Sequence, residues 1–244
     1  MSVRRTRATA QRVLRQLRHD PRTVGLLLAV PCVLQVLVHA LFENRPRVFQ
    51  SLGVPLLGLF PFVAMFIVTS ITMLRERTSG TLERLLTTPI ARGDLLTGYA
   101  LAFALVAAVQ ATLVSVLSFG LLGLESDHRL GVIALAIANA VLGMALGLFA
   151  SAFARTEFQA VQFMPAFVLP QILLCGLLVP REEMAGWLRA LSALLPLTYA
   201  YDALARLSTE VKVGPRFWVD VAVVAGVTVA ALALGAKTLR RRTP

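Results

Sequence analysis

The sequence predicts an all-α polytopic membrane protein of six transmembrane helices, and three observations carry that reading. Of its 244 residues, 57% are hydrophobic and only 15% charged, where a soluble domain runs at roughly 45–50% and about 25%. Several apolar runs reach the roughly 20 residues that cross a bilayer core. The basic residues flank those runs instead of clustering on one surface, which is the membrane pattern and not the nucleic-acid one. No nucleic-acid partner is expected despite the net charge of +11.

Residues 1–22 carry Arg4, Arg5, Arg7, Arg12, Arg15, Arg18 and Arg22 against one acid, Asp20. Val13, Leu14 and Leu17 recur at helical spacing, so this is a basic amphipathic helix. The six expected spans follow at 23–42, 52–74, 94–122, 131–153, 159–179 and 217–238. A secretory signal peptide is the alternative for the first, with "VHA" at 38–40 as a loose cleavage site. Its run is of full spanning length, which favours an uncleaved span. Pro31, Pro55, Pro61, Pro165 and Pro170 fall inside spans, where kinks and not ends are expected. In the fourth span Gly143, Gly147 and Ser151 repeat at every fourth residue, a spacing that lets helices approach closely, within one chain or between two. Cys32 and Cys175 both lie in apolar runs at different depths and are expected to stay unpaired.

Orientation follows from the basic residues. With the N-terminus inside, the inner segments hold the seven N-terminal arginines with Arg75, Arg77, Arg84, Arg92, Arg155, Lys237, Arg240, Arg241 and Arg242. The outer segments hold only Arg45, Arg47, Arg129, Arg181, Arg189, Arg206, Lys212 and Arg216. Both termini are therefore expected in the cytoplasm. The long outer segment, 180–216, places Trp187, Leu188, Leu191, Leu194 and Leu195 on one helical face, with Tyr199 and Tyr201 after Pro196. It reads as short helices lying in, or dipping into, the outer leaflet.

No Asp, Glu, Lys or Arg occupies the middle of a span. Ion-coupled carriers use such groups as relays and ion sites, and hydrolases need positioned acids, bases or a metal. The three histidines, His19, His39 and His128, do not cluster. What remains is polar but uncharged: Gln35, Gln110, Asn139, Gln159, Gln162 and Gln171, with Phe60, Phe62, Phe66, Phe163, Met164 and Phe167. Each amide taken alone is more readily an interhelical hydrogen bond. Together with the aromatic rings they are the candidate wall of a path for an amphipathic or apolar substrate.

One charged stretch interrupts this apolar sequence: "RERTSGTLERLLTTP", residues 75–89. Ser79-Gly80 breaks the second span. Gly80 is placed to N-cap a short helix, with the Glu83 carboxylate at its positive end. Leu82, Leu85 and Leu86 form an apolar stripe, Glu83, Arg84 and Thr87 face elsewhere, and Pro89 stops the helix. A short amphipathic helix at the cytoplasmic face results. It either lies on lipid or takes a mechanical input from a partner.

The wording "RERTSGTLERLLTTPIARGDLLTGY" closely resembles the cytoplasmic segment of type-2 ABC exporter permeases, in the pattern Arg-Glu, Gly-Thr-Leu-Glu, Leu-Leu, Thr-Pro. "LLVPREEMAGWLRALSALLPLTYAYDAL", 177–204, is similar to their outer segment before the last span, with Pro180, Trp187 and Pro196-Leu197-Thr198-Tyr199. The resemblance implies a single permease domain over 1–244. It implies two copies of an ABC ATP-binding subunit, and a second permease, identical or homologous, as partners. It also makes Arg75, Glu76, Gly80, Thr81, Leu82, Glu83, Leu85, Leu86 and Pro89 an ATPase-coupling segment, and 180–204 re-entrant helices closing the outer end. No G-x-x-x-x-G-K-[ST] loop is present, and "GAKT" at 235–238 ends a span. This chain is thus expected to bind no cofactor and to be no enzyme, with ATP and Mg on the partner. The expected activity is ATP-driven export of a hydrophobic or amphipathic, drug-like molecule across a prokaryotic cell membrane. Export of a polysaccharide or lipid-linked polymer is the alternative within the same architecture. A secondary carrier and a non-transporting scaffold are the alternatives from other classes.

Overall fold

The computed structural model describes residues 3–79, 92–209 and 213–238, and the described residues contain helices and turns but no strand. Among the described residues ten α-helices follow one another: α1 (Val3–Arg18), α2 (Pro21–Leu41), α3 (Pro46–Thr78), α4 (Arg92–Gly120), α5 (Arg129–Ala150), α6 (Glu157–Phe163), α7 (Leu169–Leu174), α8 (Gly186–Ser192), α9 (Pro196–Thr209) and α10 (Pro215–Thr238). A π-helical turn, Met164–Val168, joins α6 to α7, and a short 3-10 turn, Arg181–Glu183, precedes α8. Local chemistry sets the starts. Proline opens α2, α3, α9 and α10, where its missing N–H costs nothing. The Asp20 carboxylate caps α2 by accepting the Thr23 backbone N–H at 3.2 Å and its hydroxyl at 2.6 Å. Thr156 caps α6 through the N–H of Gln159, whose side-chain oxygen accepts the N–H of Arg155 in return.

Among the described residues five helices are long and apolar enough to cross a membrane: α2, α3, α4, α5 and α10. They match five of the six expected spans, and α2 and α3 run through Pro31, Pro55 and Pro61 without ending. The expected fifth span, 159–179, is helical without a coil break from Glu157 to Leu174, with a π turn at Met164–Val168 between α6 and α7. Pro165 and Pro170 explain the turn. Each removes a donor from the helical ladder, and the wider π turn around Pro165 absorbs the first loss. Gly176, at φ +105°, then turns the chain out of the helix. The apolar face expected along 187–195 is divided. Helix α8 ends at Ser192 because Pro196 forbids continuation, so Leu194 and Leu195 lie beyond it. The turn is held by Thr198, whose hydroxyl donates to the Ser192 carbonyl at 2.8 Å.

Helix α3 is central and α2 peripheral: 67% of the apolar window of α3 is buried, against 17% for α2. The main partner of α3 is α5, and the small-residue repeat explains the closeness. Gly143 lies against the Phe62 backbone carbonyl, and Gly147 against the Phe66 carbonyl and the Thr69 hydroxyl. The Thr69 hydroxyl reaches the carbonyls of Met65 at 2.6 Å and Met144 at 3.2 Å, a polar stitch between the helices. The repeat therefore serves packing within the chain. On the far sides of α2 and α4, Leu26, Val30 and Leu37, and Leu101, Leu105, Val109 and Val116, are exposed. Continuous apolar strips of this kind belong against lipid or another apolar surface.

The amphipathic helix α1 packs on α4. Val13 is buried in the main core, with Ala10, Leu14 and Leu17 packed around it. The tightest approach is at Gly98 of α4, where a Cβ would lie 2.6 Å from the Thr9 Cβ and 2.9 Å from the Thr6 carbonyl oxygen. Gly98→Leu is expected to release α1 by roughly 1–3 kcal/mol of overpacking. Limited trypsin digestion of membranes would then cut faster within the arginines of α1. An unchanged digestion rate would show that α1 is held otherwise.

Candidate functional site

The end of α3 carries the first residues of the expected coupling segment, and two of them are locked to other elements. The Arg75 guanidinium donates from Nε and Nη2 to the two carboxylate oxygens of Glu157, at 2.8 and 2.9 Å. This fork-on-fork pair ties α3 to the first residue of α6. The hydrogen bonds from Arg75 hold the Glu157 carboxyl below its ordinary range. The next residue, Glu76, is 4% exposed and pairs with Arg12 of α1 at 3.6 Å. Arg12 also donates to the Tyr99 hydroxyl of α4, with its guanidinium 5.6 Å from that ring's centroid. Helices α1, α3, α4 and α6 are thus joined within two residues of one turn. Ser79 closes α3, its N–H donating to the Arg75 carbonyl at 2.9 Å. The remaining expected coupling residues, Gly80, Thr81, Leu82, Glu83, Leu85, Leu86 and Pro89, lie outside the described residues.

Arg12, Tyr99 and Glu157 were not singled out by sequence reasoning. Two had a signal. Arg12 falls three residues after Thr9 and beside Val13, on the packed face of α1, unlike Arg15 and Arg18. Tyr99 is the one tyrosine of three inside an expected span. For Glu157 nothing local marks its partner 82 residues away.

Most of the expected path residues make contacts within the helix packing of the described residues. Gln35 donates to the Gly53 carbonyl at 3.1 Å and Gln110 to the Leu27 carbonyl at 2.5 Å, pinning α2 to α3 and to α4. Asn139 is buried against Gly58. Gln171 donates to the Phe167 carbonyl at 3.0 Å and accepts the Leu197 N–H at 3.4 Å, docking α7 on α9. Phe62 and Phe66 are buried, Phe60 is half-buried, and Phe163 meets the exposed Phe167 edge to face. Gln162 and Phe163 share a recess of about 280 Å³ with Phe153, Arg155 and Gln159. Gln110→Leu is expected to leave the Leu27 carbonyl unpaired and lower stability by about 1–3 kcal/mol. A melting temperature in detergent unchanged from wild type would refute that pinning role.

A larger cleft, of about 610 Å³, opens between α1, the start of α2 and the end of α3. Arg12, Gln16, Asp20, Thr23, Arg75 and Glu76 supply its polar lining, and Val13, Leu17, Val68 and Ile71 its apolar lining. Far from it, two ion pairs join the segment before α10. Arg181 donates to Asp202 at 2.9 Å, and Arg206 lies 3.5 Å from the buried Asp220. Gly235–Thr238, the residues of "GAKT", are the last turn of α10 and form no phosphate loop.

A family profile described as "ABC-2 type transporter" matches residues 4–207. Among curated proteins, the chain is 31% identical over 150 residues to the probable multidrug ABC transporter permease YbhR of Escherichia coli K12, covering 60% of this chain and 40% of that one. It is 25% identical over 173 residues to the linearmycin resistance permease protein LnrN of Bacillus subtilis, covering 69% and 44%. It is 26% identical over 147 residues to ABC transporter G family member 20 of Dictyostelium discoideum, covering 60% and 20%. The chain therefore spans less than half the length of these relatives. With a profile match reaching from α1 into α9, the chain belongs to the ABC-2 type transporter family.

Proposed function

We propose that this chain is the membrane permease subunit of an ATP-driven exporter that works with a separate ATPase. The observation that carries the reading is the end of α3. There a membrane helix of 33 residues runs directly into the segment at 80–91, and its last turn is tied to α6 and to α1, and through Arg12 of α1 to α4. A push on that segment would be felt at once by four helices. In this reading the run from Glu157 to Leu174 serves as the fifth of six spans, and both termini and residues 80–91 face the cytoplasm. Two ATPase subunits would carry ATP and Mg and press on 80–91 of this permease and of its permease partner. The cargo is a hydrophobic or amphipathic small molecule. That choice is supported by the uncharged apolar spans and by relatives named as multidrug and linearmycin resistance permeases.

The test is co-purification of the tagged chain from gently solubilised native membranes. A stoichiometric ATP-binding subunit is expected, lost in the Gly80→Trp, Glu83→Lys double variant while membrane insertion persists. ATP-dependent efflux should fall in parallel. Efflux unchanged in that variant would remove 80–91 from the coupling role. The absence of any ATPase, where known complexes survive, would overturn the exporter reading.

A further inference from the structure

Helix α1 is amphipathic, yet the face that would ordinarily enter lipid is occupied. Thr6, Thr9 and Val13 are buried, Thr6 and Thr9 against Gly98 of α4 and Val13 in the main core. A free interfacial helix lays that face into the acyl boundary. What α1 leaves outside is a stripe of one charge. Arg4, Arg7, Gln11, Arg15 and Arg18 are all exposed. Their steps of three and four residues set them along one side of the helix, opposite the buried residues. The helix carries no Asp or Glu. No ion pair or hydrogen bond among the described residues engages the guanidinium of Arg4, Arg7, Arg15 or Arg18. The level of α1 decides what such a stripe meets. Leu101, an exposed apolar side chain of α4, follows Gly98 by three residues, about 4.5 Å along the axis. On α2, the exposed Leu26 follows Asp20 by six residues, about 9 Å. The headgroup layer on each side of a bilayer is about 5–7 Å deep. Helix α1 thus lies where α2 and α4 pass from polar to apolar surroundings, at the depth of the lipid phosphates.

We propose that Arg4, Arg7, Arg15 and Arg18 bind the phosphates of anionic phospholipids, so that α1 is held by lipid on its charged side and by α4 on its apolar side. The stripe has the dimensions and the chemistry of a headgroup contact. It runs for about 21 Å from Arg4 to Arg18, long enough to meet several headgroups side by side. Guanidiniums pair with phosphate through two parallel hydrogen bonds, and a basic segment beside an anionic leaflet gains from each of its charges. A protein partner is less well matched. Protein interfaces are centred on buried aromatic or aliphatic anchors, and the exposed residues beside these arginines are Ala8 and Gln11. The lipid contact does not depend on the exporter reading.

The experiment uses the full chain in nanodiscs of equal phosphatidylglycerol and phosphatidylcholine. Native mass spectrometry then counts the lipids that stay with the released protein, and the readout is the ratio of the two. The fourfold variant Arg4→Gln, Arg7→Gln, Arg15→Gln, Arg18→Gln should lower the phosphatidylglycerol ratio roughly fivefold, the equivalent of the about 1 kcal/mol that one arginine gains near an anionic surface. The matching Arg→Lys variant at the same four positions keeps the charge and should keep most of the ratio. All four side chains are exposed, so both variants should insert and melt as wild type does. A ratio unchanged in the Gln variant overturns the proposal. An equal fall in the Lys variant also overturns it, since the positions would then act through structure and not through charge. A protein partner is the remaining occupant. If the tagged Gln variant loses from native membranes a protein that wild type retains, while its lipid ratio stays at the wild-type value, the stripe is a protein-docking face and the lipid assignment falls. The expected fall in ratio, in a chain that co-purifies with no ATPase, would leave the lipid contact and remove only the exporter reading.

Discussion

Gly147→Val is expected to strip the chain of its folded state. The added carbons would meet the Phe66 backbone carbonyl and the Thr69 hydroxyl, and the carbonyl has no rotamer by which to withdraw. Overpacking against mobile side chains costs about 1–3 kcal/mol. Here relief requires α3 and α5 to separate, and theirs is the broadest helix contact among the described residues. A loss at or above the top of that range lowers the melting temperature by roughly 6–12 °C for a chain of this size. Against a total stability of about 5–15 kcal/mol, the protein should also be recovered mostly as aggregate. Size-exclusion chromatography and a thermal-shift measurement in detergent decide it. Phe66→Leu is the control, since it keeps the carbonyl and should stay monodisperse. A Gly147→Val protein that melts with wild type would mean that α5 does not lie where described.

On the exporter reading proposed above, reversing either member of the Arg75–Glu157 pair should uncouple transport without unfolding the chain. Both side chains are more than half exposed, at 61% and 53%, and exposed pairs contribute little to stability. What Arg75→Glu or Glu157→Arg removes is a rigid link between the end of α3 and the start of α6. Each single variant is expected to lose roughly tenfold in ATP-driven flux, the equivalent of about 1.4 kcal/mol of coupling. The double swap should restore most of it, because the charges again attract. A purely structural role would move the melting temperature and not this rescue pattern. The pH response has a definite sign. Arg75 holds the Glu157 carboxyl below its ordinary value, so the link is complete above the usual carboxylate range and fails only as pH falls through the lowered one. Flux between about pH 6 and 8 should therefore show no dependence from this pair. A double swap as inactive as the single variants would remove the link from the mechanism.

These two cases mark what was legible in the sequence. Composition and run length located α2, α4, α5 and α10 to within about three residues at each end and α3 to within six, because hydropathy is a property of each run by itself. Ser79 was readable as the end of α3, and Val13, Leu14 and Leu17 as the packed side of α1. Gln35, Gln110 and Gln171 were readable as interhelical bonds in kind, but not in partner, whereas Gln159 bonds locally to the Arg155 N–H. Nothing in the spacing says that Gln110 reaches Leu27 or that Arg75 reaches Glu157, since partner choice is decided by how helices dock. The π turn inside 159–179 had its signal in Pro165 and Pro170. Apolar length outweighed it, although two prolines so close together leave the ladder too few donors for a plain helix. The face drawn through 187–195 erred similarly, by extending a period across a chain direction that Pro196 forbids.

The glycines of α5 also determine how this chain tolerates substitution. Gly143 and Gly147 rest on carbonyl groups, which every residue type carries. The identities of Phe62 and Phe66 are thus free to drift, within the limits of their own pockets, without disturbing that contact. The two glycines have no such latitude, because any replacement adds atoms where a carbonyl already stands. At these two contacts the constraint is therefore lopsided: α3 presents only backbone, whatever its side chains, and α5 has no room for any side chain.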